Sequence, residues 1–313
     1  MAVSLGGGHD VVGGLCAALQ QVGQTMPNSI PVIQSIAPLA AETDAWLVDI
    51  WGVMHNGVRP FPEAGEACAR FRENGGRVLL LSNSPRPASG VQTQLDQIGV
   101  RQDAYDTILS SGDATRELIR AYSGSGVYHL GPDRDLPIFA GIDVARVGAA
   151  AEEGARAIIC TGLFDDTRET PADYMEMMKG FVALELPMIC ANPDIRVERG
   201  GQVIFCAGAL AEAYAELGGD VSLAGKPFRP IYEMAFERLS ELRGKDVARS
   251  RMLAIGDGVK TDIAGAIGVG VRAVYVASRV HMGDEEALEP AVLDAMFPEK
   301  NARPVAAMAE LAW

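Results

Sequence analysis

Apolar residues along the chain fall into short unbroken runs separated by stretches with helical spacing. "AWLVDI" (45–50) and "RVLLLSN" (77–83) are continuous apolar runs, as expected for strands buried on both faces. Between them, "PEAGEACARFRENGG" has the helical period and stops at glycine. "SGVQTQLDQIG" is a second amphipathic helix closed by glycine, and "YDTILSS" followed by "DATRELIRAY" repeats the alternation. The last third returns to it: "RPIYEMAFERLSEL" as helix, "RMLAIGDG" as strand, "TDIAGAIGVG" as helix and "VRAVYVA" as strand. Strand and helix alternating over short links predict right-handed crossovers and a mostly parallel sheet, an α/β fold.

The middle of the chain is also mixed, with "GVYHLG", "RAIICTG", "PMICANPD" and "QVIFCAG" as strands and "ADYMEMMKGFVALE" as a helix. The economical division is a core domain of residues 27–112 and 207–313 interrupted by an α/β insert of residues 113–206. Residues 1–26 are Gly-rich and weakly patterned, with "DVVGGLCAALQQVG" as a candidate short helix, and form an N-terminal extension.

Composition narrows the function classes. The 313 residues are ample for a large core, and 48 % apolar with 22 % charged is a soluble globular profile. The net charge of −14 argues against partners such as nucleic acid or anionic membrane, which need clustered Lys and Arg. It still permits a phosphorylated substrate, because one metal ion and one lysine can reverse the field of a single cleft. Five cysteines form no CxxC pair, which fits buried thiols in a reducing compartment. With no Lys or Arg before Arg59 and no apolar run long enough to span a bilayer, the expected location is cytoplasmic.

The candidate chemistry lies where the apolar runs stop. In an open parallel sheet, ligands bind beyond the carboxyl ends of the strands. "AWLVDI" brings Asp49 there, "RVLLLSN" brings Ser82 and Asn83, and "RMLAIGDG" brings Asp257. "LAGKP" adds Lys226 and "TDIAGA" adds Asp262. Singly, each reads as a helix cap, a turn or a solvated loop residue. Together their chemistry is coherent. Carboxylates can hold Mg²⁺, which takes hard oxygen ligands. Asp49 can attack phosphorus, and Lys226 can neutralise the transferring group.

The order "LVDIWGV … LLLSNS … AGKP … AIGDGVKTDIAGA" resembles the haloacid dehalogenase superfamily of aspartate-nucleophile hydrolases, from about Pro31 onward. The insert, with its "CANPDIRVERGG", resembles the large α/β cap of the subfamily IIA branch, which includes 4-nitrophenyl phosphatases. The resemblance implies a doubly wound, Rossmann-like core carrying a cap, a Mg²⁺ cofactor and a small phosphorylated metabolite as substrate. It implies Asp49 as nucleophile and metal ligand, and the main-chain carbonyl of Trp51 as a second ligand. Ser82 and Asn83 would bind the phosphoryl group, and Lys226 would hold both nucleophile and phosphate. Asp257 would be a ligand, with Asp262 acting through water or behind the ligands. Asn192 and Asp194 would face the substrate from the cap, and related caps often pair into homodimers.

The sequence departs from the pattern at Trp51. Family phosphatases usually carry Asp there, to protonate the leaving oxygen and later activate water. Indole does neither. His55, on the same turn, is a candidate replacement, although a histidine that merely holds the turn is the slightly favoured reading. Without a replacement, an aspartyl-phosphate phosphatase would be slow, and a Mg²⁺-dependent sensor of a phosphorylated metabolite is the alternative. A dehalogenase ranks lower, because such enzymes tolerate an aromatic residue at this position but need no metal and no "GDGVKTD" cluster.

Overall fold

The computed structural model describes residues 29–148, 154–199, 202–277 and 288–313. The N-terminal extension with its candidate helix and Cys16 lies outside the described residues.

A six-stranded parallel sheet has the order β13-β12-β11-β1-β2-β3. Its strands are β1 (Ala45–Asp49), β2 (Arg77–Ser82), β3 (Thr107–Ser110), β11 (Met252–Gly256), β12 (Arg272–Val276) and β13 (Ala306–Met308). Strand alternation assigns its two faces. Leu47, Leu79 and Leu81 share one cluster with Ile231, Tyr232, Ala235 and Phe236 of helix α7 (Arg229–Arg243). Trp46, Val48, Val78 and Leu80 share another with Ala67, Cys68 and Phe71 of α2 (Pro62–Glu73) and with Val91 and Leu95 of α3 (Ala88–Ile98). Burial on both faces is why these strands are apolar throughout. Trp46 stacks on Phe71 with ring centroids 3.9 Å apart, and its indole N–H donates to Thr43 Oγ1 at 3.1 Å.

The insert builds a second parallel sheet of order β10-β7-β6-β4-β5. It comprises β4 (Gly126–Leu130), β5 (Ala145–Arg146), β6 (Ala155–Cys160), β7 (Met188–Cys190) and β10 (Val221–Leu223). An antiparallel hairpin, β8 (Arg196–Arg199) with β9 (Gln202–Phe205), projects from it. The boundary expected at 206/207 falls inside this unit. Helix α6 (Ala207–Glu216) buries Leu210, Ala211 and Tyr214 against Ile158, Met188 and Phe181, and β10 pairs with β7. The boundary at 112/113 falls inside helix α4 (Ser111–Arg120), which packs Ala114 on the core and Ile119 on the insert. Cys160, Cys190 and Cys206 are buried free thiols. No helix among the described residues is long and apolar enough to cross a membrane.

Candidate active site

The carboxyl ends of the two parallel sheets line the two sides of one cavity of about 440 Å³. Asp49, Ser82, Asn83 and Asp257 come from the ends of β1, β2 and β11. From the cap, Asp135, Thr161 and Asn192 follow β4, β6 and β7.

Lys226 organises the floor. The residue is 2 % exposed, and its ammonium donates to Asp49 Oδ1 at 2.5 Å, Asp262 Oδ1 at 2.7 Å and the Leu81 carbonyl at 2.8 Å. Burial alone would lower its pKa, but the two carboxylates outweigh burial and hold Lys226 above its usual range. For Asp49 the balance differs: burial and the nearby Asp262 push it up to about 7 against the pull of Lys226. Asp49, Asp257 and Asp262 each offer a carboxylate oxygen, and these atoms lie within 4.8 Å of one another. Three hard oxygen donors at that spacing fit a small divalent cation such as Mg²⁺. Both oxygens of Asp262 already have partners, since Oδ2 accepts the Gly258 N–H at 3.0 Å. Asp262 thus holds Lys226 and the 258 loop.

The local backbone explains why "GDGVKTD" has its glycines. A Cβ at Gly256 would stand 2.3 Å from Asp262 Cβ and Cγ, and one at Gly258 would stand 1.9 Å from Thr261 Oγ1. Only glycine lets β11 pass beside the π-helical turn Val259–Ile263 that carries Asp262. π-Helical turns of this kind often accompany functional sites.

Asn83 ties the loops together. Its side-chain oxygen accepts the Lys226 N–H at 2.7 Å, while its amide donates to the Lys226 carbonyl at 3.1 Å and to Asp194 Oδ1 of the cap at 2.8 Å. Asn192 is buried, and its Oδ1 accepts the Asp194 N–H at 3.0 Å. Burial raises the Asp194 carboxyl above the usual carboxylate range. Ser82 is buried on the floor, and its hydroxyl accepts the Ser84 N–H at 3.1 Å.

Trp51 and His55 sit on the tight turn after β1. The rings meet edge to face with centroids 5.2 Å apart, and both residues line the cavity. The indole covers Gly57, where an added Cβ would lie 2.5 Å from Trp51 Cη2. His55 is 1 % exposed, and its Nδ1 accepts the Gly57 N–H at 2.9 Å. Burial lowers its pKa to about 4, so the ring is neutral, with its accepting nitrogen already in use. That arrangement suits a turn-holding histidine and leaves no ready proton at neutral pH.

Sequence reasoning had not singled out Arg86, Arg134, Asp135, Thr161, Asp166, Arg196 or Arg199, all on the cavity wall. Except for Arg86, they belong to the cap. Isolated charges on loops look like solvated surface, and only their positions after the ends of β4, β6 and β7 hinted at more.

Against known proteins, residues 46–145 match the model of the haloacid dehalogenase-like hydrolase family, and residues 223–298 match a second model of HAD-like hydrolases. A hydrolase of the haloacid dehalogenase-like family from Brucella suis 1330 is 42 % identical, with a TM-score of 0.80 over 90 % of this chain and all of that one. Human glycerol-3-phosphate phosphatase is 23 % identical over 79 % of this chain and 83 % of its own. A glycerol phosphate phosphatase from Mycobacterium tuberculosis, in complex with magnesium, shares the fold with a TM-score of 0.62 at 21 % identity, over 88 % of this chain and 76 % of that one. By the Brucella match over nearly its whole length, the chain belongs to the haloacid dehalogenase-like hydrolase family.

Proposed function

We propose that this hydrolase is a Mg²⁺-dependent phosphatase of a small phosphate monoester, working through an aspartyl phosphate on Asp49. The observation that carries the reading is the buried Lys226 ammonium joined to Asp49 and Asp262, with Asp257 completing a set of three carboxylates. The phosphatases among its relatives support it.

Asp49, the Trp51 carbonyl and Asp257 would hold the cation, with Asp262 behind them. Bound there, the cation would offset the charge of the phosphoryl oxygens and leave Asp49 ionised. Ser82 and Lys226 hold those oxygens from the floor. An Asp49 oxygen attacks phosphorus, and the bond from phosphorus to the ester oxygen breaks. The leaving oxygen keeps the electron pair and takes a proton. Water then attacks the aspartyl phosphate at phosphorus, the bond to Asp49 breaks, and phosphate departs as the water's proton is released. Asp194 and Asn192 border the substrate from the cap. The cap excludes bulk water and selects the leaving group.

Trp51 favours a second reading, a slow enzyme that serves as a sensor of the same ligand, because the indole N–H is neither a usable acid nor a usable base. Phosphate release from 4-nitrophenyl phosphate, with and without Mg²⁺, separates the two. Metal-dependent turnover that Asp49→Asn abolishes is the expected result. Turnover surviving Asp49→Asn rules out the nucleophile, and binding without turnover favours the sensor.

A further inference from the structure

The cap side of the cavity, opposite the carboxylate floor of the core, carries three arginines. Arg134 follows β4, and Arg196 and Arg199 stand on the hairpin strand β8. Arg134 and Arg199 share one oxygen of one carboxylate, Asp166 Oδ2, at 2.6 and 3.2 Å. The Asp166 side chain is only 9 % exposed, so it is committed to that role. Arg196 lies over the Phe205 ring with its guanidinium carbon 4.8 Å from the centroid. Two guanidiniums thus share one carboxylate, and the third lies on an aromatic ring. Of the other two cap carboxylates on the wall, Asp135 lies between the charges of Arg134 and of Arg86 of the core, 3.6 Å from the latter, and Asp194 accepts from Asn83; four arginines, with Arg86, still outnumber these three carboxylates.

In a chain with 27 Lys and Arg against 41 Asp and Glu, this local excess of positive charge runs against the overall balance, and it lines the cavity. Arginine presents a planar fork suited to carboxylate and phosphate oxygens. Arg134 and Arg199 are each 43 % exposed and keep donors beyond those given to Asp166.

The geometry points to a second anion subsite on the cap: Arg134 and Arg199, with Arg196 beside them, bind a negatively charged group at the far end of a substrate whose phosphate sits on the Asp49 floor. The substrate class is therefore a small phosphomonoester with a second anion, a carboxylate or another phosphate. This rests on the phosphatase reading for the floor but is tested independently of turnover.

Three three-carbon esters make the test: glycerol 3-phosphate, neutral at its far end; 3-phosphoglycerate, with a carboxylate; and 1,3-propanediol bisphosphate. Calorimetric binding to Asp49→Asn with Mg²⁺ needs no catalysis. One of the two doubly anionic esters is expected to bind at least about tenfold tighter than glycerol 3-phosphate, as one well-made charged contact provides. The tighter one identifies the second anion. In Asp49→Asn carrying Arg134→Met and Arg199→Met, that preference falls to about one. Equal binding of all three esters, or a preference that survives both arginine changes, overturns the subsite. Absence of phosphate release from every ester by the unmutated chain, with the binding preference intact, would instead count against the phosphatase reading alone.

Discussion

The Trp51 indole meets the His55 ring edge to face and closes over Gly57, filling the part of the turn where a carboxylic acid would be needed. His55 is poorly suited to replace it: its Nδ1 accepts the Gly57 N–H, and burial lowers its pKa to about 4. Trp51→Asp should therefore raise turnover of an alkyl phosphate by about tenfold or more, given the usual worth of general acid catalysis. The gain on 4-nitrophenyl phosphate should be smaller, since nitrophenolate leaves without a proton. Steady-state rates on both esters check this, and equal gains would show that proton transfer is not what position 51 limits. At this scale the sequence was informative about the floor. Asp49, Ser82, Asn83, Lys226, Asp257 and Asp262 each stand where an apolar run ends or a glycine permits close approach. It was silent about the state of His55, because a buried accepting nitrogen depends on a hydrogen bond from Gly57 that no pattern announces.

Among the elements, the π-helical turn Val259–Ile263 matters most, because it sets Asp262 against β11. Gly256→Ala has no room for its methyl group and should push Asp262 away from Lys226 and the Gly258 N–H. Overpacking of this kind typically costs about 1–3 kcal/mol, and activity should fall well beyond what that loss of folded protein explains. Denaturant unfolding together with kcat checks both; an unchanged kcat would free Asp262 from its holding role. The long buried strands and glycine-stopped helices were legible because continuous apolar runs and the helical period are strong signals. Short pieces were not. β10 has three residues and β5 has two, so neither shows a period, and β10 joins the cap only by pairing with β7. α6 is alanine-rich, and its partners Ile158 and Met188 are distant in sequence. Long-range packing of this sort moved the end of the cap past residue 206.

For the whole molecule, one buried and one half-buried histidine make stability depend on pH. Burial lowers His55 to about 4, and burial with the nearby Arg146 lowers His129 to about 4 despite Asp133. His129 Nε2 also lies 2.9 Å from Thr161 Oγ1 in the cap. An unfolded chain protonates these rings near 6.5, whereas the folded chain resists until about 4. Their contribution is therefore intact above pH 6.5 and lost as pH falls towards 4, by about 3 kcal/mol for the deeply buried His55. Melting temperature should drop across that window, and His55→Gln or His129→Gln should flatten the slope. A slope unchanged in both variants would place the acid sensitivity in the carboxylates. Overall charge was legible from composition, but the arginine wall was not, since it gathers residues from the turns after β4 and β6 and from a hairpin.

The two sheets that meet at the cavity also divide the molecule's inheritance. In the proposed mechanism, bond breaking depends on loops of one sheet, and the choice of leaving group depends on loops of the other. The two are coupled through contacts such as Asn83 with Asp194 and Arg86 with Asp135. A gene duplicate can rewrite the hairpin and the turns after β4 and β6 while Lys226 and its three floor contacts stay as they are. New substrates are then reached by drift in the roof, with the reaction itself carried along unaltered.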